Sequence, residues 1–470
     1  MTEVRLAMDT KPDDQLLQDA ATRAADYLRN IRDRRIAPTA EAVLRLGDLN
    51  HPFPQRGLDA TAIIGLLDDI GSPATVATAG GRYFGLVIGG ALPVTVAANW
   101  LATAWDQNAC FRATSPIAAT LEDVALGWLT GLFGLPQDTG GAFVTGASMA
   151  NVAALAAARH AILSRHGWDV EAQGLYGAPE LRIVVSDEVH VTVLKALSLL
   201  GLGRDRVIRV PTDAQGRMRA DSLPYLDDRT ILCLQAGNVN TGAFDPAAEI
   251  CAVARKAGAW VHVDGAFGLW ALASPAHAGL AAGFADADSW ATDGHKWLNV
   301  PYDSGIVLVR KAGHLRAAMA ATAVYHAQDT TDAREPAHYT PESSRRARGV
   351  EIWAALLNLG RDGLAELIGR TCRHAQRFAQ GLREAGYEIL NDVALNQVLV
   401  SFGTPEETRA VIGQIQADGV CWCGGTVWQG RTAMRISVSN WSTTDADVQL
   451  SIAAMLRAAD QVVRTSRPGT

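Results

Sequence analysis

Lysine is nearly missing from this 470-residue chain. It occurs five times, at Lys11, Lys195, Lys256, Lys296 and Lys311, among 42 Lys+Arg. Cysteine is sparse as well: six residues do not make a disulfide scaffold. Positive charge is not in excess, since 42 basic against 49 acidic residues leaves a net charge of −7. That balance argues against a nucleic-acid partner, whose phosphates call for neutralising cations. The start, Met1 to Leu6, shows no basic stretch leading into an apolar core. No signal peptide is expected, and the expected compartment is the reducing cytoplasm. Residues 83–105 carry no charge, but Gly85, Gly89, Gly90, Pro93 and Asn99 interrupt them. They read as a buried loop and core helix, so no membrane partner is expected. There is no Walker lysine and no Gly-x-Gly-x-x-Gly fingerprint, which leaves nucleotide binding weakly supported.

What is present is apolar mass. Hydrophobic residues make up 48% of the chain, enough for a core that needs neither disulfide nor metal. At about 150 residues per domain, the length allows one large domain and one or two smaller ones. Residues 13–31 carry Leu16, Leu17, Leu28 and Ile31 on one helical stripe, an appendage suited to packing on another body such as a second subunit. The middle alternates apolar runs with helical patterns. The expected strands are Ala142–Thr145, Arg182–Ser186, Val207–Val210, Ile231–Gln235, Trp260–Asp264, Ser289–Asp293 and Gly305–Val309. Helices are expected at Met149–Arg165 and Pro246–Ala257. Such alternation predicts an α/β fold with a mostly parallel sheet covered on both faces. From about residue 356 a long helix, Leu364–Ala385, leads into four short strands and a last helix, Thr443–Ala459. The expected division is a helical dimerisation segment over 1–75, a large domain over 76–355 and a small domain over 356–470.

In parallel sheets ligands collect at the carboxyl ends of strands. Four motifs stand there. Val144-Thr-Gly146-Ala147-Ser148 ends a strand and opens a helix, where free N–H groups and the helix dipole favour an anion, although Ser148 also suits a helix cap. His190 follows the second strand, in a position that equally suits a structural histidine. Asp264 closes an apolar run, and a buried carboxylate needs a cationic partner, either an arginine or the protonated ring nitrogen of a cofactor. Lys296 follows another strand in a chain that hardly uses lysine. A lysine in an apolar cleft can act as a nucleophile; alone it would read as a surface residue. Cys421-Trp-Cys423 puts two thiols on one strand face, but no second pair completes a metal site, and no metal is expected.

Taken together and in this order, the four motifs resemble the group II pyridoxal-phosphate-dependent amino-acid decarboxylases. Asp264-x-Ala266 and His295-Lys296-Trp297 carry the likeness, supported by Trp105-Asp-Gln-Asn108, Ser115-Pro116 with Glu122, and Ser344-Arg-Arg-Ala-Arg348 with Trp353. The resemblance implies the PLP-dependent transferase fold type I, aspartate-aminotransferase-like. In that fold a large domain with a seven-stranded, mainly parallel sheet carries a small α+β C-terminal domain. It implies pyridoxal 5'-phosphate as cofactor and a homodimer with active sites at its interface.

By the same resemblance, Lys296 would hold the cofactor as a Schiff base and Asp264 would pair with its pyridinium nitrogen. Ala266 would lie against one ring face and His190 against the other. Gly146, Ala147 and Ser148 would cradle the phosphate, with His295 close by. Asp293 stands where the family often has asparagine, which implies a weaker cofactor contact. Ala147 stands where a second serine is common, and Val239 where many members have threonine. The loop tyrosine that protonates the reacting carbon would come from Tyr325–Thr340, with Tyr339 and Tyr325 as candidates. Tyr83, Phe84, Cys110 and Phe111 would face the substrate and suggest an apolar or aromatic side chain; Asn238 or Asn240 would touch substrate carboxylate or cofactor. Arg112 in the same loop suits an acidic substrate or a salt bridge with a neighbour such as Asp106. The expected activity is α-decarboxylation of an L-amino acid to the amine and carbon dioxide. The rivals are other PLP reactions, namely oxidative decarboxylation or deamination, lyase chemistry, or transamination with Arg435 gripping the carboxylate. A non-catalytic scaffold of the same fold is the rival of another class.

Overall fold

The computed structural model describes residues 14–320 and 333–466. Tyr325 lies outside the described residues. The large sheet contains β1 (Gly140–Val144), β2 (Arg182–Ser186), β3 (Ile208–Val210), β4 (Thr230–Gln235), β5 (Trp260–Asp264), β6 (Ser289–Asp293) and β7 (Gly305–Val309). Their spatial order is β1-β7-β6-β5-β4-β2-β3. β7 runs antiparallel to both of its neighbours, and the remaining pairs are parallel. This is the seven-stranded, mainly parallel sheet expected.

The strand residues are buried on both faces, as a parallel sheet covered by helices requires. Val184, Leu232, Leu234, Val263 and Leu308 join one core cluster, and Ile183, Val185, Ile231, Cys233 and Val307 join another. The helix Ala147–Arg165 belongs to the second. Its small residues Ala150, Ala154, Ala157 and Ala161 are almost fully buried, which lets it lie close to the sheet.

A second, four-stranded antiparallel sheet follows: β8 (Glu388–Ile389), β9 (Gln397–Ser401), β10 (Gly424–Trp428) and β11 (Arg431–Ser437), in the order β10-β11-β9-β8. The helices Pro405–Asp418 and Asp445–Ser466 flank it, the last one longer than its sequence pattern indicates. The helix Gly349–Glu384 bridges the two sheets and starts earlier than expected. Its periodicity is broken at Gly360, which takes φ +60°, so only the second limb shows a clean pattern. The N-terminal helix Asp14–Arg29 has no buried residue. Residues 83–105 form an irregular loop followed by the helix Pro93–Trp105, and no described helix is long and apolar enough to cross a membrane.

Candidate active site

The carboxyl ends of β1, β2, β5 and β6 bring Gly146, His190, Asp264 and Lys296 to one edge of the sheet. Gly146 is the N-cap of Ala147–Arg165, and no side chain caps that helix start. Its backbone also touches β7: a Cβ on Gly305 would stand 2.3 Å from Gly146, so this approach admits only glycine. The first free amide of the cradle, Ala147 N–H, donates to Asp293 Oδ1 at 2.5 Å. The other carboxylate oxygen of Asp293 faces Lys296 Nζ at 2.9 Å. His295 Nδ1 accepts the Ser304 N–H at 3.0 Å, which turns Nε2 towards Asp293 Oδ1, 3.5 Å away. Burial, more than any neighbouring charge, pushes His295 below the usual histidine range. The Tyr302 ring lies over His295 at 4.3 Å.

Asp264 is 5% exposed and makes no ion pair with any described residue. Its bonds are long and neutral, from Asn151 Nδ2 at 3.4 Å and Ala266 N–H at 3.3 Å. A buried carboxylate with so little compensation fits a site completed by a cation. His190 caps the helix Val191–Leu199, and its Nδ1 is bonded to Thr192 Oγ1 at 2.7 Å. Burial holds His190 below its ordinary pKa, with Lys296 and Arg435 adding to the shift and Asp264 opposing it. A planar, anionic aldehyde cofactor fits this arrangement: an anion cradle at one end, an unpaired carboxylate at the other, a histidine above and a lysine between.

The loop Gly85–Leu92 lies over Lys296. A Cβ on Gly89 would stand 1.6 Å from the Lys296 carbonyl oxygen. Leu86 and Val87 take positive φ, a strained conformation for such side chains. Tyr83 stacks on Trp422 with ring centroids 5.1 Å apart. Arg435 is held by Val239 O at 3.2 Å, and Asn240 receives the Thr426 hydroxyl at 3.0 Å. Asn238 Oδ1 accepts two amides of its own turn, from Asn240 and Thr241, while Nδ2 has no hydrogen-bond partner.

The remaining candidates lie elsewhere in one chain. Phe84 packs edge-on against Phe378 in the core of the small sheet. The Cys110 carbonyl accepts Ala337 N–H, and Phe111 lies against His338. Tyr339 carries Arg334 over its ring at 4.6 Å and packs on the core beside the Ala147–Arg165 helix. Arg112 pairs with Asp123, not with Asp106, which instead ends the helix Pro93–Trp105 in a left-handed conformation. Arg345, Arg346 and Arg348 are scaffold ion pairs, with Glu122, Glu351 and Asp303. Cys421 and Cys423 are buried, and no described group of side chains could hold a metal ion.

The pyridoxal-dependent decarboxylase conserved domain matches residues 48–404. The chain belongs to this family. The decarboxylase is 25% identical to an aromatic-L-amino-acid decarboxylase of Bacillus atrophaeus, across 97% of this chain and 96% of that one. It is 29% identical to an L-2,4-diaminobutyrate decarboxylase of Rhizobium meliloti, across 84% and 81%. Among solved structures, Oryza sativa TDC with PLP and tryptamine superposes with a TM-score of 0.87 at 22% identity, covering 98% and 99%. Mouse CSAD reaches the same TM-score at 22% identity, over 95% and 98%. These likenesses agree on fold type I. The enzyme is a PLP-dependent carboxy-lyase acting on an amino acid.

Sequence reasoning missed several residues of the decarboxylase site. Asn151 sits one turn into the cradle helix and reads as a helix interior position. His262 and Trp260 read as strand core. The signal was available in Trp260-x-His262-x-Asp264, since alternate strand residues share a face. Tyr302, seven residues after His295, belongs to no motif, and Trp422 is brought against Tyr83 only by long-range folding.

Proposed function

We propose that the decarboxylase removes the α-carboxylate of an L-amino acid with an apolar or aromatic side chain, releasing the amine and carbon dioxide. Asp264 carries the reading: a buried carboxylate with no ion-pair partner beside a lysine and a histidine, all at strand ends. Pyridoxal phosphate, when bound, supplies the aldehyde that a substrate amine can enter and the protonated ring that accepts the bond's electron pair. The chain does the rest. Gly146, Ala147 and Ser148 would bind the phosphate at the helix start, with His295 beside it. Asp264 would hold the proton on the ring nitrogen, with Ala266 against one ring face and His190 against the other. Lys296 would hold the cofactor and would take and return protons at its Nζ. Arg435, pushed below its ordinary pKa by burial and held by Val239 O, is the group on which the transamination rival would rest. Tyr83, Trp422 and Tyr302 supply aromatic walls that suit an apolar side chain and exclude water.

The same reading makes the enzyme a cytoplasmic homodimer with a helical dimerisation segment over 1–75, a large domain over 76–355 and a small domain over 356–470. The exposed Leu17, Leu44, Phe53, Leu67 and Leu101 favour a partner surface. Cys110 and Phe111 pack against Ala337 and His338 within one chain, which suits a contribution to the partner's site.

One observation favours a second reading. Tyr339 is covered by Arg334 and packed on the core, so the candidate proton donor is engaged by other groups. Without that donor, oxygen can divert the reaction towards an aldehyde. Product mass decides the matter, after aerobic incubation of the cofactor-loaded enzyme with single L-amino acids. An amine lighter than its substrate by one carbon dioxide supports decarboxylation; an aldehyde or keto acid overturns it.

A further inference from the structure

A hydrogen-bonded chain runs behind Asp264. Trp260 Nε1 donates to Ser289 Oγ at 3.0 Å. Ser289 Oγ lies 3.0 Å from His262 Nδ1, and His262 Nε2 lies 2.9 Å from Asn151 Oδ1. Asn151 Nδ2 then faces Asp264 Oδ2 at 3.4 Å and Thr192 Oγ1 at 3.4 Å. Thr192 Oγ1 is 2.7 Å from His190 Nδ1. Asn151 and His262 are fully buried.

The direction of the bonds follows from the Asp264 end. An ionised Asp264 can only accept, so Asn151 must present its amide N–H groups there and its Oδ1 to His262. His262 therefore carries its proton on Nε2 and gives it to Asn151 Oδ1. Burial keeps this ring neutral, so its Nδ1 accepts from the Ser289 hydroxyl. The Trp260 indole, which can only donate, takes one lone pair of Ser289 Oγ and leaves that hydroxyl proton free for His262. The second Asn151 N–H goes to Thr192, whose hydroxyl then donates to His190 Nδ1. The Thr192 backbone N–H also points at His190 Nδ1, at 3.4 Å, and a backbone amide can only donate. His190 is left with its proton on Nε2, the nitrogen turned away from this chain.

We infer that Asn151, held by His262, is a positioning residue that fixes the orientation of the Asp264 carboxylate and the proton placement of His190. The cradle helix that would hold the phosphate thereby also sets the groups at the ring nitrogen and on the ring face. This rests on the proposed roles of Asp264 and His190. It goes beyond them in giving both groups one common support.

The first test needs no cofactor. Ring 15N spectra of selectively labelled histidine, assigned with H262Q and H190Q, should show His262 and His190 protonated on Nε2 alone. In N151A the His190 signal should move towards a mixture of tautomers, because the Thr192 hydroxyl is then free to turn and only the long Thr192 N–H contact at 3.4 Å still favours Nδ1 as acceptor. A wild-type His262 or His190 protonated on Nδ1 would overturn the inference. The second test uses the loaded enzyme. N151A and H262F should lower kcat at least about tenfold with KM within about threefold. They should also shift the pH at which the bound cofactor's absorbance changes. H262Q, whose amide can donate to Asn151 and accept from Ser289, should restore most of both. T192V should alter only the pH profile of kcat, because it cuts the His190 branch alone. Wild-type-like absorbance and kcat in N151A, or H262Q no better than H262F, would overturn the inference. Wild-type protein that takes up no cofactor would instead sink the proposed function and leave the tautomer result standing.

Discussion

The strand ends around Lys296 and a rim around Glu122 are assembled by opposite means. At the strand ends each group sits within a few residues of its strand: Gly146 two after β1, His190 four after β2, Asp264 at the end of β5, Lys296 three after β6. Local geometry aims them. The segments carrying Cys110, Phe111 and Tyr339 are held by a knot of charges between distant parts of the chain. Arg334 and Arg345 both bind Glu122, and Arg112 and Arg334 both bind Asp123. The strand-end groups thus rest on the sheet, and the rim rests on ion pairs.

That contrast can be broken first at its chemical side. Lys296→Ala should take cofactor colour and turnover to background, because no other described lysine stands at a strand end beside Asp264. An unchanged absorbance spectrum would refute the lysine assignment. The rim should respond in the opposite sense. Glu122 is 1% exposed, and Glu122→Ala strands buried Arg345. A loss of about 3–5 kcal/mol is expected in urea unfolding, with cofactor uptake kept at low temperature. Equal stability of the variant and the wild type would show that the knot does not hold the rim.

The pH dependence of folding sharpens the strand-end side. Burial pushes His262 down to about 3. The unfolded chain then takes up this proton first, near pH 6.5. Stability from the neutral ring is therefore complete above about pH 6.5 and is lost as pH falls towards 3. Between pH 7 and pH 4 this histidine should contribute about 3 kcal/mol of lost stability. H262Q should lose correspondingly less over that interval in paired urea titrations. Parallel losses in the two proteins would place the acid sensitivity elsewhere.

The same contrast explains what could be read without coordinates. β2, β5, β6 and β7 match their sequence expectation residue for residue, because apolar runs bounded by polar turns leave little freedom. The four strand-end motifs followed from those runs. Asp264 announced itself as a buried charge. Asn151 did not, since its partners His262, Thr192 and Asp264 lie 41 to 113 residues away. Arg112 forms the kind of salt bridge the sequence offers, but with Asp123 in place of Asp106, for the same reason. Asp106 is near in sequence, but Asp123 is the neighbour on the folded helix. Tyr339, a candidate proton donor by the resemblance, carries Arg334 across its ring, a contact no motif announces.

The smallest effect concerns a single charge inside the strand-end region. Asp293 Oδ1 accepts the Ala147 amide, one of the donors at the start of the cradle helix. Its carboxylate therefore stands where a phosphate also seeks the helix dipole, and two anions there repel. Lys296, at 2.9 Å, offsets that charge until a cofactor engages it. Asp293→Asn keeps an oxygen for the Ala147 N–H and removes the charge. Cofactor affinity should rise about tenfold, equivalent to about 1.4 kcal/mol. Inorganic phosphate should likewise compete more strongly with the cofactor in the variant than in the wild type. Absorbance titration of the cofactor-free protein reads both. Weaker binding in the variant would assign the carboxylate the other role, that of ordering Lys296 and the cradle amide for the cofactor's arrival, and would make this charge part of the local geometry that sets the strand ends apart from the rim.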